Sequence, residues 1–342
     1  MKAVVIHAPN RADFRDEPDP RPREGQVLVK VGAAGICMSD VETLRGTRPP
    51  AYVKYPVIPG HEWCGTVEEV GPGVEGLATG DRVAVEGHNF CRACAWCRRG
   101  ETNLCVSYNE LGFTLPGGFA EYVAVRADLA HPFAKTLPFE SAAMAEPLAC
   151  VVHGAQRANV QAGDTVAVVG PGTLGLLAVG WAAMARPARL VAIGVDRANE
   201  GLARKMGATD YLAVDEEPAA RLREMTGGAG ADLVFEAAGS EKALPVAVDA
   251  ARRGGTVVIL SIVGSGRPMP LEANVFCLKD LRIHGVFAYT TRSFELALRL
   301  VESGRLDVRP LVTHTFPLRE FQRAFDLLRN RSEPVVKVML KP

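Results

Sequence analysis

Four of the eight cysteines in this 342-residue chain stand within one short window: Cys91, Cys94, Cys97 and Cys105, spaced C-x2-C-x2-C-x7-C. Thiols this dense can form a disulfide knot, a metal cage, a redox centre or an active site. Four thiolates at such spacing can surround one Zn2+ tetrahedrally, with sulfur at about 2.3 Å. A closed four-sulfur shell leaves no open position for a substrate. The window therefore reads as a structural zinc lobe, about residues 88–108, holding a loop that lacks a core of its own. Arg92, Arg98 and Arg99 lie in this loop, either to offset the site's negative charge or as a solvated face.

A catalytic metal needs a different set, with three protein ligands and one exchangeable position. Candidates stand in three separate segments. Gly60-His61-Glu62 joins a nitrogen and an oxygen ligand. Cys37, in GICMSD, is a lone thiol beside Ser39 and Asp40. Glu146 is a carboxylate in the apolar stretch AAMAEPLAC, where it needs a partner. Spacing alone does not join these segments into one site. Tyr52, Tyr55 and Phe113 are candidates to line a substrate cleft, and His88 and His153 lie near these segments.

A second chemistry is carried by glycines. Gly170-Pro171-Gly172-Thr173-Leu174-Gly175 fits G-x-G-x-x-G and follows the apolar run TVAVVG. Such a turn lets a helix N-terminus meet a pyrophosphate closely. Asp196 ends the next apolar run, LVAIGVD, 21 residues beyond Gly175. A carboxylate there accepts from ribose hydroxyls and repels a 2′-phosphate, which favours NAD over NADP. Arg197 beside it works the other way, since a guanidinium can accept a phosphate.

Two kinds of segment must position these groups. Up to about residue 150, short β-like runs (Ala3–Ile6, Gln26–Val31, Gly65–Val70, Arg82–Glu86, Glu121–Val125) alternate with glycine and proline turns. Beyond it, strands at Thr165–Gly170, Leu190–Val195, Asp210–Val214, Asp232–Glu236, Thr256–Ile262 and Arg282–Phe287 alternate with helices, among them Lys242–Arg252. Six strands with interleaved helices make a doubly wound parallel sheet, the α/β class. Leu318, Phe321, Phe325 and Leu328 mark one face of a helix, and Val335–Leu340 a last strand. With the six-stranded sheet already complete, this tail is expected to return to the first module.

Lys and Arg together number 39, as do Asp and Glu, so the formal net charge is zero. That gives no basic stripe for nucleic acid and no reason to expect a membrane surface as partner. The run Ala3–Ile6 is too short for a signal peptide, and no apolar run spans a bilayer. A cytoplasmic protein is expected, in a compartment that favours metal-bound over oxidised thiols.

Taken together, GICMSD, YPVIPGHEWCGTV, the four-cysteine loop, GGFAEY, AEPLACVVHGA, VAVVGPGTLG and VAIGVD resemble one family over nearly the whole chain. It is the zinc-dependent medium-chain alcohol dehydrogenases, in their polyol (sorbitol-like) and threonine dehydrogenase branch. YPVIPGHEW and ELGFTLPGGFAEY are also similar to bacterial aminocyclitol (2-deoxy-scyllo-inosamine) dehydrogenases. The resemblance implies a GroES-like β-barrel catalytic domain over residues 1–150, a Rossmann NAD-binding domain over 151–288, and a return to the first domain over 289–342. It implies two Zn2+ per chain. Cys37, His61, Glu62 and Glu146 would hold the catalytic one and the four-cysteine loop the structural one. Leu260, Ser261, Ile262, Phe287 and Ala288 match strand ends that line the nicotinamide.

The implied reaction oxidises a secondary alcohol of a polyol, sugar or cyclitol to a ketone, with hydride passing to NAD and Ser39 taking or relaying the hydroxyl proton. A homodimer or homotetramer is implied as well. The chain departs from the family pattern at three places. Met38 stands where glycine usually follows the cysteine, Glu42 where a relay histidine often stands, and Gly201 where a basic residue often meets the adenosine ribose. L-threonine 3-dehydrogenase, a glucose-dehydrogenase-like enzyme and a non-enzymatic, zinc-free cofactor-binding relative are the competing readings.

Overall fold

The computed structural model describes residues 1–262 and 271–342. It divides into two compact units: Met1–Ala149 together with Thr290–Pro342, and Cys150–Tyr289.

The first unit is built on a seven-stranded sheet in the order Val312–Pro317, Lys337–Lys341, Gln26–Ile36, Glu62–Val70, Arg82–Val85, Ala130–Pro132, with Tyr122–Arg126 also paired to Gln26–Ile36. Along Gln26–Ile36, Val27, Val29 and Val31 turn inward at alternate positions, the period of a half-buried strand. The sequence suggests an end at Val31, but the strand runs on to Ile36 and delivers Cys37. Glycine hides the continuation, because it carries little strand signal. It is needed there: a Cβ at Gly35 would collide with Oε2 of Glu62 on the neighbouring strand.

The tail joins this unit by strand pairing. Lys337–Lys341 runs antiparallel to Gln26–Ile36, with Val338 opposite Ile36 and Leu340 opposite Ala34. Before it, the helix Phe321–Asn330 buries Phe321, Ala324, Phe325, Leu327 and Leu328 along one stripe. Phe325 meets Phe119 edge to face at 6.1 Å. Burying each such ring stabilises the unit by about 1.5–3 kcal/mol.

The second unit holds a six-stranded, all-parallel sheet in the order Asp210–Ala213, Arg189–Gly194, Thr165–Val169, Ala231–Glu236, Ala251–Ile259, Arg282–Gly285. Numbered along the chain this is 3-2-1-4-5-6, the doubly wound arrangement of dinucleotide-binding sheets. Val166, Ala167 and Val168 are all fully buried, as a central strand covered on both faces requires. One boundary differs from the sequence reading. The helix expected to reach Arg252 ends at Ala250, and the strand expected from Thr256 begins at Ala251. The Lys279 ammonium caps the helix end, donating to the carbonyls of Val248, Asp249 and Ala251 at 2.9–3.0 Å. Arg252 then turns to Asp232, with Nε 2.6 Å from Oδ1.

Among the described residues no helix is long and apolar enough to cross a membrane.

Candidate active site

Cys37 caps the helix Met38–Arg45. Its N–H donates to Oδ2 of Asp40 at 2.9 Å, the reach-back bond of a capped helix start. The N–H of Gly60 donates to the other Asp40 oxygen at 3.2 Å, and Nδ1 of His61 stands 3.6 Å from that oxygen. Asp40 is fully buried. One carboxylate thus fixes both loops, the one carrying Cys37 and the one carrying His61. One donor atom from each of Cys37, His61 and Glu62 lies within 4.8 Å of the other two.

These residues fit a zinc ion: thiolate, imidazole and carboxylate are its usual donors. His61 Nδ1 is buried and has no hydrogen-bond partner among the described residues. Burial opposes a charged imidazole, yet Asp40, backed by Cys37 and Glu146, holds the His61 pKa well above its ordinary value. A carboxylate placed behind a ligating ring is the usual way to orient it.

Phe113 is fully buried, its ring centroid 4.8 Å from that of His61. The Arg48 guanidinium, paired with Glu110 at 2.8 Å, lies 3.5 Å from the centre of the Phe113 ring. Phe113 therefore packs against the His61 ring.

Glu62 is almost fully buried, and its Oε2 receives the Lys337 ammonium at 2.5 Å. Lys337 also donates to the carbonyl of Ile36 at 3.2 Å. Burial works against the charge on Lys337, but Glu62 and then Cys37 outweigh it and raise its pKa. Glu146 lies in the first turn of the helix Ala145–Ala158, 6% exposed and outside the 4.8 Å cluster. Its charge still acts on both His61 and Lys337. Ser39 is half-buried in the helix that Cys37 caps.

The sulfur atoms of Cys91, Cys94, Cys97 and Cys105 form a second cluster, all within 4.8 Å of one another. Cys94 and Cys97 sulfurs are 3.5 Å apart and those of Cys91 and Cys97 4.0 Å. Sulfurs at the corners of a zinc tetrahedron stand about 3.8 Å apart. None of the eight cysteines is in a disulfide. The backbone N–H groups of Cys97 and Val106 bring the Cys94 thiol down to about 6. Burial and the Cys94 and Cys105 thiols push Cys97 up to about 12. Four thiols so close cannot all ionise without a cation, so this donor set also fits zinc. Arg92 pairs with Asp128, and Arg99 lies 4.5 Å over the Trp96 ring.

In the second unit the glycine turn joins the Thr165–Val169 strand to the helix Thr173–Ala183. Gly170 has φ +89°, and a Cβ there would meet the Ala238 backbone at 2.6 Å. A Cβ at Gly175 would collide with the Gly170 carbonyl. Gly172 is different: among the described residues no non-neighbouring atom lies within 4 Å of where its Cβ would be, and it caps the helix with no side-chain bond. Space and helix donors at Gly172, Thr173 and Leu174 suit a pyrophosphate. Asp196 is exposed beyond the next strand, its Oδ1 accepting from the Ala198 N–H at 2.9 Å. Leu260 is buried and Ile262 exposed, while the Ser261 hydroxyl donates to Glu236. Phe287 is 37% exposed, and Ala288 takes a left-handed φ of +51°.

The model of the alcohol dehydrogenase GroES-like domain matches residues 23–138, and that of zinc-binding dehydrogenases matches residues 173–303. An erythritol/L-threitol dehydrogenase of Mycolicibacterium smegmatis is 33% identical over 356 residues, covering 100% of this chain and 98% of its own. The chain belongs to the zinc-dependent medium-chain alcohol dehydrogenases. Within this family it stands in the polyol and threonine dehydrogenase branch. An L-threonine 3-dehydrogenase of Bacillus velezensis is 34% identical over 96% of each chain. A zinc-binding dehydrogenase of Sinorhizobium meliloti, solved bound to NADP, superposes with a TM-score of 0.91 at 32% identity, covering 100% of this chain and 99% of the other.

For this member of the family, sequence reasoning missed two residues packed against the Cys37–His61–Glu62 cluster. Asp40 was visible as a polar neighbour, and an acid three residues after a cap was its signal. Lys337 was visible as a lone cation inside the apolar run VVKVML, where a buried charge needs a partner.

Proposed function

We propose that the chain oxidises a secondary alcohol of a polyol, sugar or cyclitol to a ketone, with Cys37, His61, Glu62 and Glu146 as the catalytic metal residues and NAD as coenzyme. The convergence of Cys37, His61 and Glu62 within 4.8 Å carries this reading. Bound zinc supplies the Lewis acidity that lowers the pKa of an alcohol hydroxyl, and bound nicotinamide supplies a hydride acceptor. The chain's own residues do the rest. Asp40 orients His61 and fixes the Cys37 loop. Ser39 takes or relays the hydroxyl proton, with Glu42 three residues on in place of a histidine. Gly170, Gly172, Thr173, Leu174 and Gly175 seat the pyrophosphate, Asp196 meets the ribose with Arg197 beside it, and Leu260, Ser261, Ile262, Phe287 and Ala288 flank the nicotinamide. A second zinc, held by Cys91, Cys94, Cys97 and Cys105, is structural.

The full set of free thiols supports a reducing, cytoplasmic setting. A homodimer or homotetramer is supported by the strand Arg282–Gly285, which among the described residues is the last of the six-stranded sheet, with Ile283 exposed.

Cys37→Ser tests the reading. Turnover should vanish and metal content fall by one equivalent, while NAD binding persists. Retained turnover in the metal-depleted variant would sink it. A panel of polyols, cyclitols, aminocyclitols and L-threonine, followed by nicotinamide absorbance, decides the substrate. A preference for L-threonine would favour the second reading, which the Bacillus relative supports.

A further inference from the structure

Asp196 and Arg197 stand side by side beyond the Arg189–Gly194 strand, and both are exposed. They favour opposite coenzymes. A carboxylate accepts from the ribose hydroxyls of NAD, whereas a guanidinium is the usual partner for the 2′-phosphate of NADP. The Sinorhizobium relative was solved with NADP, so the fold takes that coenzyme, and discrimination must be local.

The Arg197 guanidinium is already occupied. Its Nη1 donates to Oε2 of Glu200 at 2.7 Å and its Nη2 to Oε1 of Glu216 at 2.5 Å. Both carboxylates are anchored in turn. Glu200 Oε1 accepts from Nε and Nη2 of Arg204 at 3.0 and 2.9 Å. Glu216 Oε2 accepts from the Ala213 N–H at 2.9 Å, at the end of the edge strand. Tyr211 braces the group: its ring centre lies 6.0 Å from the guanidinium, and its hydroxyl donates to the Asp196 carbonyl at 2.7 Å. Arg221, whose charge also reaches Glu216, is paired with Glu224. Asp196, Glu200 and Glu216 therefore set three negative charges against the two of Arg197 and Arg204, leaving the cluster at net −1.

A single exposed ion pair is worth little. Here two carboxylates share one planar fork, one at each Nη, so a 2′-phosphate using the remaining N–H groups would lie against both of their charges. The phosphate would also meet the Asp196 carboxylate.

We propose that Glu200 and Glu216 determine coenzyme specificity: by holding Arg197 between them, they keep its guanidinium from a 2′-phosphate, so the chain takes NAD and rejects NADP. This rests on Gly170–Gly175 and Asp196 forming the dinucleotide site.

The test is a binding measurement on the full-length, zinc-loaded protein, reading Kd for NAD and for NADP by calorimetry at one fixed ionic strength. Three proteins are compared: the native chain, E200Q/E216Q, and E200Q/E216Q with Arg197→Gln added. Glutamine keeps one oxygen for the Ala213 N–H and removes the charge and the acceptor that faces Arg197. In E200Q/E216Q the ratio of the NADP Kd to the NAD Kd should fall by about tenfold or more, because a charge-assisted fork becomes available. Adding Arg197→Gln should restore most of the native ratio. An unchanged ratio in E200Q/E216Q, with NAD still bound, overturns the proposal. So does a fall that survives the loss of Arg197, or a native chain that binds NADP as tightly as NAD. A native chain that binds neither coenzyme removes the dinucleotide reading itself, and the proposal with it.

Discussion

The Lys337 ammonium lies 2.5 Å from Oε2 of Glu62, and the two side chains are 3% and 2% exposed. The lysine arrives on the last strand, and the glutamate follows His61 directly. A buried pair of this kind is a weak source of net stability, but breaking it strands a charge and costs about 3–5 kcal/mol. It also means that one Glu62 oxygen is engaged before any metal arrives.

Lys337→Met should therefore destabilise the chelator-treated protein by about 3 kcal/mol or more. Combining it with Glu62→Gln should recover part of that loss, since no charge is then stranded. Urea unfolding of the four members of this cycle checks the coupling. Additivity within about 0.5 kcal/mol would mean that the pair does not act as a unit.

Gly172 and Gly175 should separate coenzyme binding from folding. Among the described residues no non-neighbouring atom lies within 4 Å of a Cβ at Gly172. Gly172→Ala should leave the melting temperature of the coenzyme-free protein almost unchanged while weakening NAD binding by about tenfold or more, because the close backbone approach is lost. Gly175→Ala forces its Cβ against the Gly170 carbonyl and should lower both. Calorimetric Kd values beside thermal melts decide; equal effects of the two variants on melting would contradict the distinction.

Cys97→Ser should cost the structural metal and spare the catalytic one. Elemental analysis should show one equivalent fewer than in the native protein. Limited proteolysis should cut within residues 88–108, because the four cysteines would lose their common ligand. Loss of both metals from this one change would show that the two sites are not independent.

His153 supplies a pH signature. Burial, with Arg157 behind it, lowers its pKa to about 4. The unfolded chain takes up that proton near pH 6.5, as an ordinary histidine does. The group's contribution is thus complete above about 6.5 and is lost as pH falls toward about 4. Native protein should lose up to roughly 3 kcal/mol more than His153→Leu across that window. Urea midpoints at pH 7 and pH 4.5 measure the difference, and parallel losses in the two proteins would remove His153 as its source.

Much of the fold was legible because it is written in local pattern. Six apolar runs alternating with helical spacing announced the parallel sheet, and an unbroken run such as TVAVVG is what a strand covered on both faces requires. Boundaries were lost where glycine blurs the pattern, as in the continuation from Val31 to Ile36, and where a distant residue ends a helix, as Lys279 does at Ala250. The glycine turn and the four-cysteine loop were readable for the same reason: each is a short segment whose chemistry follows from its own spacing.

What the sequence determined by itself was therefore which residues could serve as donors, a glycine turn followed by an acid, and the class of fold. The tertiary structure decided which groups face one another. It set Asp40 between the loops of Cys37 and His61, Lys337 against a glutamate 275 residues away, and Arg197 between Glu200 and Glu216. Spacing along a chain constrains only what a turn or a single helix can reach. Contacts between strands that pair across the sheet are set by register and burial, and those become definite only when the whole chain has packed.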